Sequence, residues 1–245
     1  MEAPIEWLSA SSEPWTRYRT MLDLQGLPEN SAPAMAARLE MLAHPEVRSL
    51  IIGAAAWGEQ AIKRHNDAAS PVYKLSVLAD FGLKRGDAGV EAVLQSILAR
   101  QATEGPFLSL LNIPRAFGGT GEDQWSWLLC DAPVLLYILL AMDGPDIRLE
   151  RALEHLAGLV EENGYRCRGD PTLGKFRGPG RRSDPCPVAN VYALKALSQS
   201  PAHIDSCPVR LAADMLLDHW EQRRQVKYYL FGIGSDFVKV KYPFV

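Results

Sequence analysis

Pro133-Val-Leu-Leu-Tyr-Ile-Leu-Leu-Ala-Met142 decides the fold of this chain. It carries no charged side chain, and the apolar run that begins at Ala132 is far shorter than the ~20 residues that span a bilayer. A run of this kind predicts a helix buried on nearly every face. Its opening proline suits the first helical position, where no N–H partner is lost and φ is already helical. Two other segments open alike: Pro71-Val-Tyr-Lys-Leu-Ser-Val-Leu-Ala-Asp-Phe81 and Pro187-Val-Ala-Asn-Val-Tyr-Ala-Leu-Lys-Ala-Leu197. The three prolines stand 62 and 54 positions apart.

Each of these helices is followed by an amphipathic one. The sets Val90, Val93, Leu94, Ile97, Leu98, then Leu149, Leu153, Leu156, Val160, then Val209, Ala212, Ala213, Leu216, Trp220 recur at helical spacing. Glu91, Gln95, Arg151, Glu154, Asp214 and Asp218 take the opposite faces. The predicted unit is a buried helix, a short turn, a covering helix around 88–101, 147–161 or 207–223, and a long loop. Such units stack into an open solenoid or close into an α/α barrel with inner and outer helices. Residues 1–66 read as N-terminal helices and a cap, with helices near Trp15–Leu22, Pro33–Leu42 and Glu46–Lys63. Residues 67–245 carry the repeats, and the whole is one domain. The loops 103–130 and 163–185 have the length of functional loops.

Hydrophobic residues make up 47% of the 245, enough for a sizeable core. A net charge of −3 argues against a general nucleic-acid binder. Met1-Glu-Ala-Pro-Ile-Glu has no basic n-region of a signal peptide. The four cysteines, Cys130, Cys167, Cys186 and Cys207, make no CxxC pair. Together these features predict a reduced, cytoplasmic protein without a transmembrane segment.

Leu98-Ala-Arg-Gln101-Ala-Thr-Glu-Gly105-Pro-Phe107 closes a covering helix with the spacing Q-x-x-x-G-x-aromatic, and Glu161-Glu-Asn-Gly164-Tyr165 echoes its end. Over residues 70–225 this resembles the repeat of squalene–hopene cyclases and protein prenyltransferase β subunits. Phe107 replaces that repeat's usual tryptophan, and the second copy lacks the glutamine. The resemblance implies an all-α fold, an α/α toroid that is incomplete here, in which the glutamine ties a helix end to its neighbour. It also implies an enzyme acting on an isoprenoid-like or other apolar ligand held in the barrel. The superfamily's catalytic motifs do not carry over. There is no Asp-x-Asp-Asp acid motif and no Asp-x-Cys with a distant histidine, and Cys130-Asp131 has the wrong order and spacing. Two further functions remain open: a non-catalytic helical-repeat module that binds a peptide or partner protein, and a carbohydrate-active α/α barrel with two opposed carboxylates.

If the buried helices run parallel, the residues before each proline meet at one rim, where the helices' positive ends favour an anion such as diphosphate. That rim gathers His65, Asn66, Asp67, Trp125, Trp127, Cys130, Asp131, Asp184 and Cys186. Asp131 is the preferred general acid, because desolvation beside two tryptophans raises a carboxyl group toward a useful range. Asp67 and Asp184 are its companion carboxylates, and all three read equally as helix caps. Trp125 and Trp127 line a cavity that stabilises a cation, or fill the core. His65, Arg177, Arg181 and Arg182 contact substrate, the arginines from a basic loop that otherwise is simply solvated. No cofactor or metal is expected. A zinc ion, if one binds, takes Cys130, Cys167 and Cys186 with His65, and magnesium is the other candidate. The same residues leave a Cys167–Cys186 disulfide open.

The segment Phe231–Val245 brings glycines, aromatics and an acid to Pro243. It resembles the loops before the other buried helices. The expectation is that Pro243 starts a further inner helix that this chain stops short of, leaving an apolar edge for a continuation or an oligomer partner.

Overall fold

The computed structural model describes residues 4–63, 67–144, 146–175, 183–222 and 225. Among them are ten α-helices: α1 (Ile5–Ser9), α2 (Pro14–Arg19), α3 (Ala32–Ala43), α4 (Pro45–Ala55), α5 (Pro71–Phe81), α6 (Glu91–Leu98), α7 (Ala132–Met142), α8 (Ile147–Gly158), α9 (Pro187–Leu197) and α10 (Cys207–Gln222). Proline stands in the first turn of α5, α7 and α9, as the sequence predicts. Nine of the eleven residues of α7 are buried, against four of the twelve of α8, so burial follows the contrast between apolar and amphipathic segments. Each fully buried leucine or isoleucine of α7 contributes roughly 1.5–3 kcal/mol.

α5 packs on α4 and α7, α7 on α9, and α9 on α10. Side chains also join α5 directly to α9. The rings of Tyr73 and Tyr192 lie 6.2 Å apart. Further along, Asp80 of α5 takes Lys195 of α9 at 2.7 Å and accepts from the Tyr137 hydroxyl of α7. Lys195 Nζ lies 4.2 Å from the Tyr137 ring centroid. Asp131, at the start of α7, stands near both Tyr73 and Tyr192, while Tyr137 further along meets Asp80 and Lys195. The order is the same along each helix, so α5, α7 and α9 run parallel and share an N-terminal end. Their hydrophobic cluster also includes Tyr18, Ala34 and Val47, so the N-terminal helices belong to the same core.

The all-α expectation is corrected in one place. Within residues 103–130, β1 (Ser109–Asn112) pairs antiparallel with β2 (Asp123–Ser126), with Ser109 opposite Ser126 and Asn112 opposite Asp123. A loop of this length lying against the core must pair its backbone groups, and the hairpin does so. α4 also stops at Ala55 rather than continuing to Lys63. There the chain turns so that Ile62 pairs beside Leu111, its N–H donating to the Leu110 carbonyl at 2.8 Å. Among the described residues no helix is long and apolar enough to cross a membrane. Residues 226–245, on which the expectation of a further helix at Pro243 falls, lie outside the described residues.

Candidate functional site

Three extended segments meet at the shared N-terminal end of α5, α7 and α9. Leu128 bridges Gly169 antiparallel, and Leu129 N–H donates to the Arg168 carbonyl at 2.9 Å. Arg166 bridges Pro185, and Cys186 N–H donates to the Tyr165 carbonyl at 2.7 Å. Antiparallel partners move in opposite directions along the two strands. One step on from Arg166–Pro185, Cys167 therefore comes beside Asp184, and it also lies near Cys130, which sits on the turn that follows Leu128.

Asn190 holds this arrangement in place. It is fully buried in α9, and its Oδ1 accepts from Tyr165 N–H at 2.9 Å. Its Nδ2 donates to the carbonyls of Tyr165 and Cys186, both at 2.8 Å. The side chain thus pairs with the 165 backbone as a neighbouring strand would.

Electrostatics shows which groups face one another. Contact with the Cys186 side chain pushes the Cys130 thiol well above its ordinary value. Burial and the proximity of Cys186, Cys167 and Asp131 add to the shift. Burial raises the Tyr73 phenol, helped by Asp131, Tyr192 and Cys130. Burial likewise raises Tyr192, with Asp80, Asp131 and Cys130 contributing. Asp131 is itself only 1% exposed. The centre therefore places one enclosed carboxyl group beside the Cys130 thiol and two phenols that are all held in the neutral form, groups that can donate protons or hydrogen bonds without bringing further charge.

The other sequence-predicted residues lie differently. Asp67 is exposed and folds back on its own turn, accepting from Ala69 N–H at 2.9 Å. It lines a surface groove of about 550 Å3 with Trp57, Lys63, Ser70 and Asp123, to which neither Asp131 nor any cysteine contributes. Trp125 packs on Trp57, with ring centroids 5.4 Å apart, and carries the Arg100 guanidinium over its face at 4.2 Å. Trp127 donates to Glu104 at 3.0 Å and meets His155 edge-on. It belongs to the seam between α7 and α8, beside Leu136 and Leu156. Asp184 is half-buried beside the cysteine segments. His65, Arg177, Arg181 and Arg182 lie outside the described residues.

No family model, curated protein or solved structure matches this chain. Among the described residues no group of three or more His, Cys, Asp or Glu side chains is arranged to hold a metal ion. None of the four cysteines forms a disulfide, so Cys167 and Cys186 are not bridged here.

The Q-x-x-x-G-x-aromatic segment does have a distinct geometry. Gln101 Nε2 donates to the carbonyls of Gly105 and Arg148, each at 2.7 Å, and so ties the end of α6 to the first turn of α8. Phe107 is buried. Gly105 has φ +128°, and an added Cβ would stand 2.7 Å from the Arg151 carbonyl oxygen. At the second copy, Gly164 has φ +94°, and a Cβ there would lie 2.5 Å from Asn190 Oδ1. Both glycines are required by conformation and by close approach.

Sequence reading missed Asn190, Tyr73 and Tyr192. The available signal was that each buried helix carries a tyrosine within its apolar run, and that α9 carries one amide among apolar neighbours.

Proposed function

We propose that this chain is an α/α-toroid protein of the terpenoid cyclase and prenyltransferase type, and an enzyme acting on an isoprenoid-like ligand. Its polar centre would be the Asp131, Cys130, Cys186, Tyr73 and Tyr192 cluster. The observation that carries this reading is convergence: a buried acid, two thiols and two phenols gather where three parallel helices begin. Those helix N-termini favour an anionic group such as diphosphate. The neutral phenols complement charge that develops beside them, and Asp131 acts as the acid or base. The Gln101 bridge between the end of α6 and the start of α8 supports the toroid part of the reading, since it performs the tie expected of that repeat.

The test uses farnesyl diphosphate, farnesol and inorganic diphosphate as probes. Thermal shift and calorimetry should show farnesyl diphosphate binding, and diphosphate release should report turnover. Asp131→Asn should abolish turnover with the fold retained by circular dichroism. Absence of binding by all three probes overturns the reading.

One observation favours a second reading, a non-catalytic module that binds a peptide or partner protein. The space between α5, α7 and α9 is occupied by Asp80, Tyr137 and Lys195, whereas the 550 Å3 groove beside Trp57 is open at the surface. Silent isoprenoid probes together with peptide capture that depends on Trp57 would select it.

A further inference from the structure

We propose that Cys130 and Cys186 form a redox-active dithiol that a hydroperoxide converts into an intramolecular disulfide, with Cys167 as the adjoining thiol able to exchange into the bridge. The pair arises from tertiary structure alone, because 56 positions separate the two residues. Cys130 stands two residues before α7, and Cys186 immediately precedes α9. These helices pack against each other, so the two side chains are delivered to one place by rigid elements. Their side chains are in contact. The third thiol is set by the backbone: the Leu128–Gly169 bridge brings the segment of Cys167 to the turn that carries Cys130, and the Arg166–Pro185 bridge brings the same segment beside Cys186. A disulfide needs its two Cα atoms close and its Cβ vectors converging, a condition that sulfurs already in contact come near to meeting.

The chemistry balances with one hydroperoxide. One thiol, as its thiolate, attacks the terminal peroxide oxygen. The O–O bond breaks, the alcohol leaves with a proton, and a sulfenic acid remains. The second sulfur attacks that sulfenic sulfur, the S–O bond breaks and water leaves. Two thiols and one hydroperoxide become one disulfide, one alcohol and one water; with hydrogen peroxide both oxygen products are water. Burial and the contact with Cys186 hold the Cys130 thiol protonated at rest, which slows its own attack on a peroxide. The bridge would fasten the first turns of α7 and α9 together. Cys207 is exposed at the start of α10 and serves as an internal control.

The experiment treats the full chain with hydrogen peroxide, blocks remaining thiols with iodoacetamide, and maps the peptides by mass without reduction. The expected product is a monomer with a Cys130–Cys186 cross-linked peptide lacking the mass of two hydrogens, reversed by dithiothreitol. Cys207→Ser and Cys167→Ser should each retain that bridge. Cys186→Ser should lose it and leave the Cys130 peptide to Cys167 or to blocking reagent. Because Cys186→Ser removes a buried group, its fold is checked by circular dichroism. The wild-type and Cys207→Ser maps decide the question by themselves if that variant unfolds. Over-oxidised thiols without a bridge, or a dominant disulfide that omits Cys130 or Cys186, overturn the proposal.

Discussion

Replacing Asn190 with alanine removes the three hydrogen bonds that fix the 165 segment on α9. The consequences for the three partners differ. The Tyr165 carbonyl keeps its bond from Cys186 N–H, and the Cys186 carbonyl keeps its bond from residue 190 N–H within α9. Each therefore loses only a second bond, at ~0.5–1.5 kcal/mol apiece, whereas the Tyr165 N–H becomes a buried orphan at ~1–3 kcal/mol. The expected loss is about 4 kcal/mol, a large part of the ~5–15 kcal/mol that holds a domain together. Urea unfolding followed by circular dichroism and tryptophan fluorescence measures it. Asn190→Asp sharpens the test. One carboxylate oxygen still accepts from Tyr165 N–H, but the other now faces two carbonyl oxygens where an amide donated. The folded state then favours the protonated acid, so its pKa rises above the unfolded value of about 3.9. With a raised folded pKa, stability is fullest below the unfolded value and falls as pH rises through the folded one. The gap between Asn190→Asp and wild type should therefore widen from acid to neutral pH. An alanine variant within ~0.5 kcal/mol of wild type would refute the clamp, since that is the range of ordinary surface substitutions. So would an aspartate variant whose deficit does not change with pH.

Other outcomes follow from single contacts. Gln101→Ala should cost about 2 kcal/mol through two lost bonds to carbonyls, and Gly105→Ala about 3 kcal/mol through its positive φ and the Arg151 carbonyl; thermal unfolding of both variants checks this. Burial holds the imidazoles of His155 and His219 below the ordinary 6.5. Their contribution is thus full above 6.5 and lost as pH falls below it, and His155→Gln should flatten the acid side of a melting-temperature profile. Asp146 is lowered to about 2, first by its side-chain bond to Arg148 and then by the Arg148 backbone N–H. Its stabilisation is present above 3.8 and lost as pH drops toward about 2. Asp146→Ala should cost about 1 kcal/mol at neutral pH in urea unfolding.

The buried helices were legible because their signal is local: a proline at the first turn and an apolar run too dense for a surface helix. The hairpin was harder to see. Ser109-Leu-Leu-Asn112 does not alternate, and its pairing with Asp123–Ser126 depends on a turn between them. The alternating tryptophans of Gln124-Trp-Ser-Trp127 are the one strand-like hint, and as large aromatics they read as readily as cavity lining or core. Asn190 was illegible for a different reason. Its polar partners lie up to 25 residues away, so nothing in α9 distinguishes a structural amide from a misplaced one. The cysteines share that limit. Their spacing carries no pattern, because the contact between Cys130 and Cys186 is made by helix packing and by bridges that no short motif records.

Four acids that stand just before a helix or turn, Asp67, Asp131, Asp146 and Asp170, show how backbone conformation separates a cap from a site. A capping residue needs an extended backbone, which swings its carboxylate back over the first N–H groups of the helix. Asp146 has φ −149° and ψ 143°, and its side chain accepts from Arg148 N–H. Asp170 has φ −57° and ψ 131°, and caps Thr172 N–H in the same way. Asp67 satisfies its own turn at Ala69. Asp131 differs from all of them. With φ −120° and ψ −45° it already curves into the helix, and its side chain makes no capping bond to α7. That conformation is imposed from outside α7, where Leu128 and Leu129 are tied to the 168–169 segment before the helix begins. The carboxylate is consequently carried into the enclosed space beside Tyr73, Tyr192 and Cys130 rather than onto the helix end. Sequence alone leaves both cap and site open at Asp67, Asp131 and Asp184, with the cap the more common use, because both want a short carboxylate just before a helix. At Asp131 the distinction is visible in a backbone that already curves into the helix and a side chain that makes no capping bond.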